Sequence, residues 1–277
     1  MSRRAAPRYA IPRHALRRGA ALLGGALALA MLGLSPVYGP SAAEAKADPA
    51  TLFSSAFAAY AKGETALAVE RYRKAAALGH LPASWKLARM YETGDGVEPS
   101  PALAQETYRA IAQRYGSIRP GDRDAVYVAS AFVRLGDYAR RGVEGFAEPD
   151  RALARRAYFY AATYFGDTDA QFELGRMMAS EGVSGPSVRN GLRWLKSAAD
   201  KGDARASAVL GSALFEGRGI GARPLEGLTM MMRAVDLVRQ ADREWAAALL
   251  DAALATAAPD LVRAARAALG GEPEGSS

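Results

Sequence analysis

Small and large apolar residues recur along this chain in a fixed order that predicts a repeated helix. In each copy an alanine is followed four residues later by a leucine, and a glycine or alanine comes directly after that leucine. One helical turn separates the alanine from the leucine, so both lie on the same face of a helix. The four leucines are Leu87, Leu135, Leu174 and Leu210. The pattern predicts the first helix of each repeat, with a stripe of small residues where a neighbouring helix packs.

A second set of positions predicts a partner helix in each repeat. Each copy ends in a glycine that has an alanine four residues before it, and the glycines are Gly79, Gly116, Gly166 and Gly202. Glycine there favours a left-handed C-cap, which costs it no steric energy. Gly79 and Gly116 are 37 residues apart, Gly166 and Gly202 are 36 apart, but Gly116 and Gly166 are 50 apart. Gly116 lies 19 residues before Leu135, where the other repeats have eight between these positions, so about eleven residues are inserted between the second and third repeats.

The repeats define the organisation of the chain, which we predict to be an all-α, right-handed α-solenoid of helix-turn-helix repeats. A proline near the start of each second helix suits the first helical turn, where its missing N–H costs nothing. The predicted parts are a signal peptide at 1–45, a flexible N-terminal segment at 46–55, about five repeats at 56–240, C-terminal capping helices at 241–269 and a disordered tail at 270–277. Capping helices are expected because the last repeat otherwise exposes an apolar face.

The N-terminus accounts for most of the positive charge. Six arginines precede an uncharged apolar run at 19–34, and a small-x-small pattern places a cleavage point between Ala45 and Lys46. This order is typical of a secretory signal peptide, and the run is shorter than the roughly 20 residues of a membrane-spanning helix. We therefore expect export, with an uncleaved anchor as the alternative. Cleavage would lower the formal charge from +7 to about +2, so a nucleic-acid partner is not expected.

The composition offers little for catalysis. The chain has no cysteine and two histidines, of which His14 lies in the predicted leader. This excludes disulfides and thiolate sites, and it leaves little scope for histidine-rich metal sites. The glycine-rich turn at 217–221 follows no predicted strand and recurs in other repeats, so we interpret it as structural. We expect no cofactor, metal, small-molecule substrate or enzymatic activity. The alternative, a cell-wall hydrolase built on a helical array, needs a pair of catalytic groups in a cleft, and the sequence offers no convincing pair.

The remaining unusual side chains are assigned to packing. His80 follows a predicted helix end, and a turn or packing role is preferred to pH sensing. Met178 and Met231 are predicted core residues at helical spacing. The three tryptophans are predicted to pack between repeats, and any that is exposed becomes a candidate interface anchor. They are Trp85, Trp194 and Trp245.

Several segments resemble the Sel1-like repeat family, an α-solenoid family related to tetratricopeptide repeats. The best copies are LARMYETGDGV at 87–97, YRKAAALGH at 72–80, LGSALFEGRGI at 210–220 and WLKSAADKGD at 194–203. Members of that family mostly mediate protein–protein contacts. The chain is also similar, through AVERYRKAAALGH at 68–80, AYFYAATYFGDTDAQFELGRMM at 157–178 and the long connection at 116–143, to the alphaproteobacterial exopolysaccharide production negative regulators.

That second resemblance implies a periplasmic protein that restrains a membrane sensor histidine kinase by binding its periplasmic domain. Exopolysaccharide synthesis would then change through the paired response regulator when the restraint is released. Periplasmic proteases are a further implied partner. A general envelope scaffold without a kinase partner is the alternative.

Two groups of residues are the candidate functional positions. The first helices are expected to line a concave, partner-binding side, where residues flanking the repeated leucines point away from the core; these are Lys86, Arg89, Arg134, Asp137, Glu173 and Arg176. The inserted connection is the candidate regulatory loop, and we expect proteases to cut it first. Its residues are Ile118, Arg119, Pro120, Gly121 and Asp122.

Overall fold

A computed structural model describes residues 48–270, and over this range the chain forms twelve α-helices and no β-strand. The predicted leader, its cleavage point at Ala45 and Lys46, and the tail from residue 271 lie outside the described residues. The helices are α1 Pro49–Ala61, α2 Thr65–Ala77, α3 Leu81–Thr93, α4 Pro101–Tyr115, α5 Ala125–Arg141, α6 Arg151–Tyr160, α7 Thr168–Ala179, α8 Pro186–Asp200, α9 Ala204–Glu216, α10 Pro224–Leu237, α11 Gln240–Leu254 and α12 Pro259–Ala268. A π-helical turn, Ala161–Phe165, continues α6. None of these helices is long and apolar enough to cross a membrane.

Consecutive helices pack in pairs, and the predicted small-residue stripe is where the two helices of a pair meet. In the pair α9 and α10, a Cβ atom on Gly211 would lie 2.7 Å from the carbonyl oxygen of Gly227. In the pair α7 and α8, a Cβ atom on Gly175 would lie 2.9 Å from the carbonyl oxygen of Gly191. Only glycine permits backbones to approach this closely, so the stripe determines how the pairs assemble.

The core runs along the array as a chain of apolar clusters, each shared by neighbouring helices. Three second-helix tyrosines, Tyr72, Tyr108 and Tyr158, are almost completely buried and fill the space between the helices of successive pairs. Met178 and Met231 are also buried, which confirms their assignment to the core. These few large side chains supply the bulk that a core of mostly Ala and Leu lacks.

Two of the tryptophans pack as predicted. The ring of Trp85 on α3 lies 5.5 Å from that of Tyr127 on α5, so it joins two repeats. The ring of Trp194 on α8 meets Phe159 on α6 edge-on at 6.4 Å. Both contacts join successive repeats.

The N-terminal segment is ordered as a helix, which corrects the expectation of a flexible stretch up to residue 55. The Asp48 side chain accepts a hydrogen bond from the Thr51 N–H at 2.9 Å and caps α1. Ala56 and Ala59 of α1 are buried in a cluster with α2 and α3. The helix forms because it covers the apolar face of α2 and has a capped start.

His80 has the structural role that the sequence indicates. Its Nδ1 atom accepts a hydrogen bond from the Ala83 N–H at 3.2 Å at the start of α3. Its ring also stacks on Phe53 of α1 at 4.6 Å. Burial lowers the pKa of His80 below its usual 6.5, although Asp124 and Asp48 act in the opposite direction. His80 therefore caps a helix in its neutral form.

One predicted left-handed cap is wrong. Gly79, Gly166 and Gly202 have φ angles of 88°, 68° and 91° and are left-handed, as predicted. Gly116 instead has a φ of −56° and remains right-handed. The reason is that the chain does not reverse at Gly116 but continues through further turns in the inserted connection. The insertion also lengthens α5 to 17 residues, so fewer of the additional residues lie in the loop.

Two helices complete the C-terminal end of the array. α11 packs on α9 and α10, and α12 packs on α10. Ala253 of α11 and Ala265 of α12 are buried in a cluster with Leu228 and Met231 of α10. The outer side of the last repeat is thus covered, as the physics of repeat arrays requires.

Candidate interaction face

The first helices of successive repeats touch one another directly. α3 contacts α5, α7 contacts α9, and α9 contacts α11. The surface that runs across α3, α5, α7, α9 and α11 is called here the first-helix face. It carries Trp85, Arg89, Glu92, Tyr127, Arg134, Phe172, Glu173, Arg176, Arg205 and Trp245. Tryptophan, tyrosine and arginine are the residue types enriched at the energetic centres of protein interfaces.

The N-terminal half of this face contains a carboxylate bridge between repeats. Glu92 at the end of α3 pairs with Arg89 at 2.9 Å and with Arg134 of α5 at 3.7 Å. Beside it, the Trp85 indole Nε1–H donates to the Ser130 hydroxyl at 3.1 Å. Each cation therefore has a carboxylate partner, and the surface is charged but locally balanced.

Asp137 is not part of the exposed surface, which corrects its prediction as a partner contact. It is 8% exposed, and it accepts a hydrogen bond from the Tyr158 hydroxyl at 2.7 Å and pairs with Arg134 at 3.3 Å. The neighbouring Gly136 has no side chain, so the Tyr158 ring lies against the α5 backbone and covers the carboxylate. Burial and the charge of Asp137 raise the pKa of Tyr158.

The C-terminal half of the face is built around the ring of Phe172. Phe172 on α7 is nearly buried, and the Arg205 guanidinium lies 4.4 Å from the centre of its ring. Arg205 pairs with Asp203 at 2.6 Å and with Asp169 of the preceding repeat. Burial by itself lowers the pKa of Arg205. The hydrogen bonds to Asp203 and Asp169 act in the opposite direction and outweigh it, so the pKa is raised above its usual value. Its guanidinium is thus held rigidly over an aromatic ring.

Trp245 differs from the other two tryptophans because it is exposed. Its side chain, on α11, is 38% exposed, and its ring meets Phe172 edge-on at 6.3 Å. Within residues 48–270 its indole N–H has no hydrogen-bond acceptor. Trp245 therefore packs against another repeat, as predicted, and its exposure also makes it the candidate interface anchor.

The other predicted contact residues lie on the face in two separate groups. Arg89 and Arg134 are joined through Glu92, and Glu173 pairs with Arg176 at 2.6 Å one repeat further on. Lys86 is apart from both groups, with its ammonium 4.1 Å from the centre of the Tyr60 ring. Sequence reasoning did not single out Glu92, Phe172 or Arg205. The sequence does contain a signal for the position of Arg205. Asp169 and Arg205 occupy equivalent positions of successive repeats and carry opposite charges, which indicates an ion pair between those repeats.

The candidate regulatory loop lies away from this face, between α4 and α5. Its residues Arg119, Pro120 and Gly121 are exposed, whereas Ile118 is half-buried in the adjoining core cluster. Asp122 closes a turn by accepting a hydrogen bond from the Arg119 N–H at 3.2 Å. The loop is further held by the Tyr160 hydroxyl, which donates to the Gly116 carbonyl at 2.8 Å.

Within residues 48–270 no group of three or more His, Asp or Glu side chains could hold a metal ion. Gly217 has a φ of 72° and caps α9, so the glycine-rich turn at 217–221 is a helix end in this fold. The aromatic rings and paired charges of the first-helix face are suited to contact with another protein surface.

Comparison with known proteins agrees with this architecture. A model of the Sel1 repeat matches residues 65–80, 81–112 and 168–203. An exopolysaccharide production negative regulator of Rhizobium meliloti (strain 1021) is 36% identical over 245 residues, which cover 84% of this chain and 89% of that protein. The chain belongs to the Sel1 repeat family. A second such regulator, from Rhizobium leguminosarum bv. viciae, is 37% identical over 210 residues, 76% of each chain.

A solved Sel1 repeat structure has the same fold. The crystal structure of a Sel1 repeat protein from Oxalobacter formigenes superposes with a TM-score of 0.52 and covers 76% of this chain and 89% of that one. The sequence identity is 24%, so this likeness concerns the fold alone. Of the helical pairs described above, the matches of the Sel1 repeat model include α3 with α4 and α7 with α8.

Proposed function

We propose that this Sel1 repeat protein is a periplasmic negative regulator of exopolysaccharide production that binds and restrains a membrane sensor histidine kinase. The observation that carries the proposal is its similarity, along most of both chains, to two proteins named exopolysaccharide production negative regulator. The predicted N-terminal signal peptide supports export to the periplasm, where the protein can reach the extracytoplasmic domain of such a kinase.

The proposed mechanism is surface complementarity on the first-helix face. Trp245 and the ring of Phe172 supply an apolar anchor, while the arginines around them carry charge that is already balanced by neighbouring carboxylates. Paired charges at an interface rim influence encounter rate and specificity more than affinity. Such a surface suits an inhibitor that must bind and release its target.

Binding of the chain from residue 46 to the periplasmic domain of a sensor histidine kinase from the same organism tests the proposal. Titration calorimetry is expected to show saturable binding with a defined stoichiometry. Kinase autophosphorylation in membrane vesicles should fall as the protein is added to the side that carries the periplasmic domain.

A correctly folded domain that shows no heat of binding would refute the kinase mechanism and favour a general scaffold for envelope proteins. Binding without any change in autophosphorylation would retain the partner but refute restraint. The two measurements therefore separate recognition from inhibition.

A further inference from the structure

A second surface, on α8 and the turn that precedes α10, carries positive charge that the protein itself does not neutralise. A groove of about 440 Å³ lies there, and its apolar floor is formed by Leu192, Leu210 and Ile220. Arg189, Arg193 and Lys196 stand along its edge on one side of α8. This surface is called here the basic groove.

The arginines of the basic groove differ from those of the first-helix face in their partners. On that face Arg89, Arg134, Arg176 and Arg205 each pair with a carboxylate. In the basic groove, by contrast, no carboxylate of the described chain lies within ion-pair distance of Arg189 or Arg193.

The neighbouring polar groups leave both guanidinium groups available. Arg193 contacts only the neutral amide oxygen of Asn190, and Lys196 is paired with Asp200 at 2.8 Å. Arg189 and Arg193 therefore present guanidinium donors to solvent, in the fork geometry that suits a carboxylate.

The spacing of these two arginines specifies the shape of a matching ligand. They are four residues apart on a helix, which corresponds to about 6 Å along its axis. In an extended peptide, residues two apart point to the same side and are separated by about 6.6 Å. Carboxylates at alternate positions of an extended segment thus match the two guanidinium groups, whereas adjacent carboxylates point to opposite sides.

The floor of the groove distinguishes between classes of anionic partner. Leu192 and Leu210 are recessed, at 5% and 7% exposure, so these leucines of the groove floor do not project for insertion into lipid. Peripheral membrane binding combines basic residues with projecting apolar ones. A groove with recessed leucines in its floor and arginines along one edge instead suits a single peptide strand that carries both acidic and apolar side chains.

We propose that the basic groove binds an acidic, extended segment of a partner protein, with carboxylates two residues apart on Arg189 and Arg193. Both arginines lie on a second helix, and neither belongs to the first-helix face. The basic groove would therefore give the protein a second point of attachment.

Fluorescence anisotropy with short labelled peptides tests the proposal. The probe contains Glu-Leu-Glu in a Ser/Gly background, and its isomer contains Glu-Glu-Leu at the same net charge. At low salt we expect the alternating peptide to bind the wild-type chain more tightly than the isomer. Arg189→Glu and Arg193→Glu should each lower its affinity about tenfold.

Arg156→Glu is the matched control, since this exposed arginine on α6 changes the net charge equally but lies outside the groove. Equal losses in all three variants, or equal affinity for the two isomers, would show diffuse charge attraction and overturn the proposal. Absence of peptide binding would also overturn it. Retention on anionic phospholipid vesicles that Arg189→Glu abolishes, without peptide binding, would assign the groove to a membrane surface instead.

Discussion

Asp169 and Arg205 occupy the same position in successive repeats, five residues before the repeated leucine, and form an ion pair between α7 and α9. The two residues are 36 apart in sequence. Arg205 is also bound to Asp203, the N-cap of α9, and lies over the ring of Phe172. One guanidinium thus links two repeats, a helix start and the aromatic floor beneath Trp245. This linkage keeps the C-terminal half of the first-helix face rigid.

The exposed indole of Trp245 should contribute to partner binding more than to folding. We expect Trp245→Ala to weaken binding to the kinase periplasmic domain by at least about tenfold, because anchor tryptophans dominate interface energetics. The thermal unfolding midpoint should change little. Leu237→Ala is the control, since Leu237 is 67% exposed on α10, a second helix. Similar losses in both variants, measured by calorimetry, would contradict the role of Trp245.

The buried hydrogen bond between Tyr158 and Asp137 should contribute to stability. Tyr158→Phe removes the hydroxyl donor and leaves the Asp137 carboxylate under-satisfied, at an expected cost of about 1–3 kcal/mol in unfolding free energy. The urea unfolding midpoint measures the change. Tyr127→Phe, on the half-buried surface of α5, is the control and should have little effect. In a double-mutant cycle the effects of Tyr158→Phe and Asp137→Ala should not add.

The glycine stripe between α9 and α10 should not tolerate a methyl group. Gly211→Ala places a Cβ atom 2.7 Å from the Gly227 carbonyl oxygen, so the helices must separate at a cost of about 1–3 kcal/mol. Gly221→Ala, where a Cβ atom would meet nothing within 4 Å, is the matched control. Chemical denaturation should separate the two variants clearly. Equal stability would mean that the close approach of α9 to α10 is not needed.

His80 should make folding stability depend on pH. Its pKa is lowered in the folded protein, so the unfolded chain takes up a proton more readily than the folded one. The stability is present above pH 6.5 and falls as the pH drops through 6.5 towards the lowered value. Loss of the cap should cost about 0.5–1 kcal/mol between about pH 7.5 and 5.5.

His80→Asn provides the control for this pH effect. Asparagine also caps helices but does not titrate in this range, so the variant should keep its stability at about pH 5.5. Urea unfolding at the two pH values gives the comparison. If the variant loses as much stability as the wild-type chain on acidification, other groups cause the dependence.

The inserted connection should be the first site of limited proteolysis. Its Arg119 side chain is 86% exposed, and the loop is anchored by the Tyr160 hydroxyl at Gly116. We expect a broad-specificity protease to cut within 118–123, and Tyr160→Phe to accelerate the cut. Tyr164→Phe serves as the control, since that hydroxyl is 3.5 Å from its acceptor. Mass spectrometry of the first fragments locates the initial cut. A first cut outside the inserted connection would contradict the prediction.

Local patterns along the chain were sufficient to predict the helices and their order. The Ala–Leu–small motif predicts one face of a helix, and a glycine at a helix end predicts a left-handed φ. Both predictions need only a few neighbouring residues. The exception is Gly116, which has the same local motif but a right-handed backbone. The residues that follow it, and the contact from Tyr160 more than forty residues away, decided its conformation.

The sequence by itself therefore determined an array of helical pairs, because helix periodicity, glycine caps and small-residue stripes are local properties. Only the tertiary structure decided which side chains of those helices meet solvent. Asp137 and Arg89 occupy equivalent positions beside the repeated leucine, yet Asp137 is covered because Gly136 lets Tyr158 lie across it. Trp245 is 38% exposed although its ring meets Phe172 of α7, a contact between residues far apart in the chain. Burial at a repeat position depends on what the next repeat presents there, and that information is distant in the chain.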